Sequence, residues 1–227
     1  MKTAIKSEKV SSKRKVNDAF IGKGKGKGKG TILIVKLLIH CISITPLVII
    51  YMQAFTGHLL GDPVEQLIHF TGIGAFNLLL ITLCVSPLAK KFGLHFLMKV
   101  RRLLGLYSFF YALLHLSNFL AFDLQFDGAL FISEVIKRPY ITVGMLAFMI
   151  LTMLAITSHN QLKKKMGKQW QSLHNCSYFI VLLVSVHFYW SVKSELTSPL
   201  FYAGLTLLIL LLRYKKLKNL ISSRFSQ

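Results

Sequence analysis

Residues Trp170–Trp190 read WQSLHNCSYFIVLLVSVHFYW, a run without Lys, Arg, Asp or Glu that nonetheless holds two histidines, His174 and His187. It is apolar enough to lie in a membrane. About 20 residues at ~1.5 Å rise each span a hydrocarbon core of about 30 Å, so the segment 170–191 is expected to cross as a helix. Five further runs of the same kind flank it, at 31–52, 68–88, 102–122, 139–157 and 197–214.

The 227-residue chain is 53% hydrophobic and only 16% charged, with the charge confined to the joints between these runs. A soluble domain of this length could bury a good core without six such runs. The expected fold class is therefore all-α: a polytopic membrane protein whose residues 31–214 form one six-helix transmembrane bundle. Residues 1–30 are expected to be a disordered basic tail and residues 215–227 a short basic one.

Charge sets the orientation. Of 28 Lys and Arg, ten precede residue 31, five lie between the second and third runs, four between the fourth and fifth, and five follow from Arg213 onward. The alternate joints hold only Lys137, Arg138 and Lys193, yet carry Asp62, Glu65, Asp123, Asp127, Glu134 and Glu195. By the positive-inside rule both termini are cytoplasmic, as an even number of crossings requires. Lys36, near the inner end of the first run, can snorkel. This topology accounts for most of the +20 net charge. The cations fall in separate loops and form no stripe interleaved with aromatics, so nucleic-acid binding is not expected.

The N-terminal tail ends in GKGKGKGKG, residues 22–30, where glycine disfavours helix and the lysines repel one another. It reads as a hydrated arm that reinforces inside retention and touches anionic lipid. The first run is too long for a signal peptide and lacks a small-residue cleavage site. No soluble domain is expected beyond the last run, and no internal repeat stands out. Cys41, Cys84 and Cys176 fall in three different runs. They form neither the CxxCH attachment signature nor an iron–sulfur framework, and read as packing residues.

Ionisable groups at membrane depth are costly and mark function. His58, His95 and His159 lie in loops, His69 opens the second run near the outer surface, and His40 is undecided between a core residue and a functional one. His115, His174 and His187 remain, in LLHLSNF, SLHNCSY and VSVHFYW. The third and fifth runs both ascend from inside to outside. His115 lies 14 residues past Arg101, and His187 lies 13 past His174. His115 and His187 are thus expected at one level in the outer half, with Arg101 and His174 at another in the inner half. Two imidazoles from facing helices can hold a haem iron, whereas a bare zinc site lacks a third and fourth ligand at either level. A spacing of 13 misses the same helix face by about 140°, so the fifth helix must bend, or its ends must reach around a macrocycle, or its two histidines must serve differently oriented partners.

At these residues the chain resembles the MsrQ (YedZ) family, haem-containing membrane subunits in the ferric-reductase-like transmembrane superfamily. The resemblance runs through HFTG (69–72), RRLLGLY (101–107), LLHL (113–116), RPYITVG (138–144), GKQWQSLHNCSY (167–178), HFYWSVK (187–193) and LRYKKLK (212–218). It implies a protein of the bacterial inner membrane that binds one or two b-type haems, takes electrons from the quinone pool and passes them to a periplasmic molybdopterin subunit, MsrP. That subunit reduces methionine sulfoxide in oxidised envelope proteins. The resemblance also implies FMN, for which the chain shows no motif.

By position, the haem-iron ligands implied are His115, His187 and His174. The wider superfamily has four histidines in two pairs, and Arg101 stands in the place of the fourth. A guanidinium is a poor iron ligand, so Arg101 or Arg102 either pairs with a haem propionate or is an ordinary topology charge. The tryptophans read first as interfacial anchors. Two other readings stay open: a haem reductase acting on ferric chelates or oxygen, and a non-redox transporter with a histidine proton relay.

Overall fold

The structure, a computed structural model, describes residues 30–192, 195–214 and 218. Residues 1–29, with nearly all of the Lys-Gly repeat, and most of the tail from 215 onward lie outside the described residues, as does Lys193.

Among the described residues the regular elements are all helical. In chain order they are α1 (Gly30–Phe55), α2 (Pro63–Lys91), a 3-10 turn (His95–Lys99) and α3 (Arg101–Asn118), prolonged as a π turn over Phe119–Asp123. Then follow α4 (Gly128–Lys137), α5 (Pro139–Ile156), α6 (Asn160–Met166), α7 (Lys168–Asn175), α8 (Ser177–Ser191) and α9 (Thr197–Leu212). Five helical spans are long and apolar enough to cross a membrane: α1, α2, α3 with its π turn, α5, and α7 with α8. The run at 197–214 forms α9, which has 16 residues and is shorter than these.

Local chemistry sets the boundaries. Asp62 caps α2 by accepting from the Val64 amide, Pro63 occupies the first turn, where its missing N–H does no harm, and Lys90 and Lys91 close the helix at its negative end. Pro139 opens α5 in the same way, and the Thr142 hydroxyl donates back to the Val135 carbonyl at 2.5 Å. Two short helices lie where the sequence suggests only loops. In α4, Asp127 caps the Leu130 amide and Arg138 pairs with Glu134 at 2.5 Å; α6 carries Lys163, Lys164 and Lys165 in its last turn.

The core is built by α2, α5, α8 and α9, through Phe76, Leu79, Leu80 and Leu83, Ala147, Leu151 and Leu154, Ile180, Val181 and Phe188, and Ile209. Most other large apolar side chains point outward, as in Leu33, Ile34 and Leu37 of α1 and Leu207, Leu208 and Leu211 of α9. Such a surface suits acyl chains as solvent. The peripheral α1 is held to α3 mainly by polar contacts: Tyr51 donates to Asn118 Oδ1 at 2.7 Å, Tyr111 to the Ser43 carbonyl at 2.6 Å, and His40 Nδ1 meets the Tyr107 hydroxyl at 2.5 Å. His40 is thus a tether between two helices.

The segment 170–191 is not one unbroken helix. It is interrupted at Cys176, whose amide bonds Leu173 O at three residues' spacing, and α8 restarts from the Cys176 carbonyl. The break falls between His174 and His187, the two histidines whose 13-residue spacing does not return to one helix face.

Candidate functional site

The level expected in the outer half is made by α2, α3, α5 and α8. His115 on α3 directs Nδ1 to the Ile68 carbonyl at 2.8 Å, and His187 on α8 directs Nδ1 to the Tyr140 carbonyl at 2.7 Å. A carbonyl only accepts, so in both rings Nδ1 carries the proton and Nε2 keeps its lone pair. Each ring lies against a glycine one turn beyond its carbonyl, since positions four apart share a helix face. A Cβ at Gly72 would stand 2.9 Å from His115 Nδ1, and one at Gly144 would stand 2.7 Å from His187 Nδ1. In both cases the histidine follows its carbonyl by 47 residues. One local clamp is therefore used twice, once between α2 and α3 and once between α5 and α8.

The two clamps bring His115 and His187 together, with ring centroids 6.2 Å apart and planes at 88°. Two imidazole–metal bonds of about 2.0–2.1 Å, each with about 1.1 Å from nitrogen to ring centre, would require about 6.3 Å. The separation is compatible with one metal ion held between two neutral imidazoles, the donor set that a haem iron would take. Among the described residues no three His, Cys, Asp or Glu side chains converge, so a closed zinc site has no ligand set. Next to Gly72 on α2, the fully buried Thr71 donates to the Leu67 carbonyl at 2.6 Å and receives Nδ2 of Asn118, about one turn beyond His115 on α3, at 3.5 Å. With Tyr51 this makes a buried polar chain that fixes the depth of α3 against α1 and α2.

The inner level centres on His174, at the end of α7. Its ring stacks on Trp170 with centroids 4.0 Å apart, and its Nε2 lies 3.2 Å from the Thr157 hydroxyl. Trp170 Nε1 donates to the Thr157 carbonyl at 2.9 Å, and Lys163 sits over the indole at 4.5 Å. Trp170 thus has a second role beyond anchoring: it orients the histidine. Thirteen residues separate Gly144 from Thr157, as they separate His174 from His187. The antiparallel α5 meets both histidines in one register, and the break at Cys176 lets two imidazoles out of helical phase face the same neighbour.

Arg101 stands within electrostatic reach of His174 and makes no hydrogen bond among the described residues, whereas Arg102 is exposed and donates to Asn160 Oδ1 at 2.9 Å. The two arginines part: Arg102 is a surface link to α6, and Arg101 is less exposed. His58, His95, His159 and His69 are exposed, although His69 lies close enough to His115 to act on it electrostatically.

Two residues of the site, Gly72 and Gly144, have only a weak signal in the sequence. Each is a glycine inside an apolar helix, which costs about 1 kcal/mol against alanine unless something needs the space. Arg213 was counted among inner topology charges, yet it is 6% exposed.

A family model described as ferric reductase like transmembrane component matches residues 71–185. The protein-methionine-sulfoxide reductase heme-binding subunit MsrQ of Pectobacterium atrosepticum is 42% identical over 185 residues, covering 81% of this chain and 93% of that protein. This chain belongs to the MsrQ family of ferric-reductase-like transmembrane proteins. No solved structure matches it. Membership in the MsrQ family, with five apolar helices of spanning length, makes it a multi-pass membrane protein. The stretch matched by the family model includes Gly72, Arg101, His115, Gly144 and His174 and ends two residues before His187.

Proposed function

We propose that this chain is the haem-binding, electron-transferring membrane subunit of a protein-methionine-sulfoxide reductase system in the bacterial inner membrane. The observation that carries the reading is the His115–His187 pair, 6.2 Å apart, with each Nδ1 committed to a carbonyl. A haem bound there supplies a one-electron carrier. The residues do the rest. His115 and His187 would hold the iron through Nε2, the Ile68 and Tyr140 carbonyls keep the rings in the ligating tautomer, and Gly72 and Gly144 leave the space that the rings occupy.

In this reading α9 makes the sixth crossing, and residues 1–30 and 215–227 are cytoplasmic tails. The quinone pool, with FMN as a further cofactor, is the electron source, and a periplasmic molybdopterin subunit of the MsrP type is the acceptor. The relative's name supports the partnership with a methionine sulfoxide reductase. At the outer end Tyr189 and Trp190 are exposed beside the acidic loops, where such a partner would dock.

The test is the visible spectrum of the purified protein with a haem assay. The wild type is expected to show a low-spin bis-imidazole spectrum that is lost in His115→Ala and His187→Ala. A wild type with no Soret band after haem-replete expression contradicts the proposal and favours a non-redox histidine relay.

A further inference from the structure

Between α1 and α2 runs a groove of about 650 Å³, within the ~300–1,000 Å³ usual for small-molecule sites. Its walls are Ile42, Pro46 and Ile50 of α1 and Ile73, Leu78 and Ile81 of α2. Along α2 it extends from Glu65 to Ile81, about 24 Å at ~1.5 Å per residue. Ile42 and Ile81 are also exposed on the surface of the bundle, so the groove opens sideways, where the bilayer lies.

The polar groups free to meet a ligand gather at one end, close to Asp62. There Glu65 and His69, four residues apart on one face of α2, are joined by Gln66. Gln66 Nε2 donates to the Leu60 carbonyl, which leaves its Oε1 to accept. The side chains of Glu65 and His69 have no hydrogen bond among the described residues. Deeper in, Asn77 Oδ1 accepts from Tyr202 at 2.9 Å and Tyr111 donates to the Ser43 carbonyl, so the rest of the groove is mainly apolar.

The shape fits an elongated amphiphile with its head at Glu65 and its tail running toward mid-bilayer. The head must be neutral and give hydrogen bonds. Among the described residues no Lys or Arg lines the groove, so a lipid phosphate or a fatty acid would meet the Glu65 carboxylate with no cation to offset it. Hydroxyl groups instead find acceptors in Glu65 and Gln66. The position adds a redox condition. His69 follows Ile68, whose carbonyl holds His115, and its ring centre is 6.4 Å from that of Phe188, the neighbour of His187. The head therefore borders both clamps.

We propose that this groove binds a lipid-soluble hydroquinone, with Glu65 as the acceptor of its protons. The proposal rests on the haem-binding reading above and gives its electron donor a place. Oxidation turns two C–OH groups into two C=O groups. The two electrons pass one at a time to a ferric iron held by His115 and His187, which the reductase partner re-oxidises in between. The two protons pass in turn to the Glu65 carboxylate, which is exposed and releases each to water.

The experiment joins photolabelling to rapid kinetics on the full chain in nanodiscs. The label is an azidobenzoquinone with a decyl tail, located by peptide mass spectrometry, and the electron donor is decylubiquinol. Labelling is expected within residues 42–50 and 65–81 and should fall when decylubiquinol is in excess. Ile50→Trp, which fills the groove from α1, should lose the labelling. Glu65→Gln should keep its labelling and its haem but slow haem reduction by decylubiquinol about tenfold or more, while dithionite acts at the wild-type rate. Labelling elsewhere, or labelling that excess decylubiquinol leaves unchanged, overturns the proposal. Labelling that falls as the phosphatidylethanolamine content of the disc rises, and ignores decylubiquinol, assigns the groove to lipid and also overturns it. A wild-type rate of reduction in Glu65→Gln overturns the proton role. The labelling needs no haem, so a chain that takes up none defeats the haem reading while the groove is still decided.

Discussion

Gly144 and His187 touch so closely that a single added carbon would stand 2.7 Å from the imidazole Nδ1. The same relation joins Gly72 to His115 at 2.9 Å. Gly144→Ala and Gly72→Ala should each push a ligand ring off its carbonyl, with an overpacking cost of about 1–3 kcal/mol. The expected outcome is lower haem content and a high-spin component in the spectrum. Gly204→Ala is the control, because nothing lies within 4 Å of its added Cβ; it should keep full haem and gain up to ~1 kcal/mol in stability.

Asn118 links Tyr51 of α1 to Thr71 of α2 within the bundle. Asn118→Leu leaves the Tyr51 hydroxyl without its acceptor, at a cost of about 1–3 kcal/mol. Thermal unfolding in detergent should fall accordingly, and Tyr51→Phe in the same background should recover part of the loss.

Much of the bundle was legible in the sequence. The runs at 31–52 and 139–157 became Gly30–Phe55 and Pro139–Ile156, because a lipid-facing surface writes hydropathy directly into the chain. The levels of His115 and His187 followed from counting residues along ascending helices. The short α4 and α6 were not legible, since helices of 10 and 7 residues at a membrane surface have no long apolar run to announce them. The break at Cys176 was legible only as a phase conflict. Arg213 was hidden for a different reason: a linear count of cations does not tell a buried guanidinium from an exposed one.

Pro87 has no N–H for the Leu83 carbonyl four residues before it, and Arg213 Nη2 donates there instead at 2.5 Å. Pro87 and Arg213 should therefore be energetically coupled through Leu83. Arg213→Met alone leaves the Leu83 carbonyl unpaired, an expected loss of about 1–3 kcal/mol. In the Pro87→Ala background that carbonyl has its own donor, and the same substitution should cost measurably less. A double-mutant cycle on detergent unfolding measures the coupling; equal costs in both backgrounds would remove Pro87 as the reason for the Leu83 bond.

Thr157 holds His174 at Nε2 and Trp170 through its carbonyl, so Thr157→Val should release the imidazole without losing the Trp170 bond. Any spectral change should be confined to the inner level, with the signal assigned to His115 and His187 unaltered. Trp170→Phe should loosen the stack on His174, because it removes the indole N–H that pins the aromatic ring to the Thr157 carbonyl.

The pairing of His115 with His187 is tested most directly by cavity rescue. Haem content and the low-spin spectrum are measured for His115→Gly and His187→Gly, with and without added imidazole, beside His69→Ala as a nearby control. The expected result is loss of the low-spin signal in both glycine variants, its return with imidazole, and no loss in His69→Ala. A low-spin signal of wild-type strength in either glycine variant without imidazole would contradict the pairing.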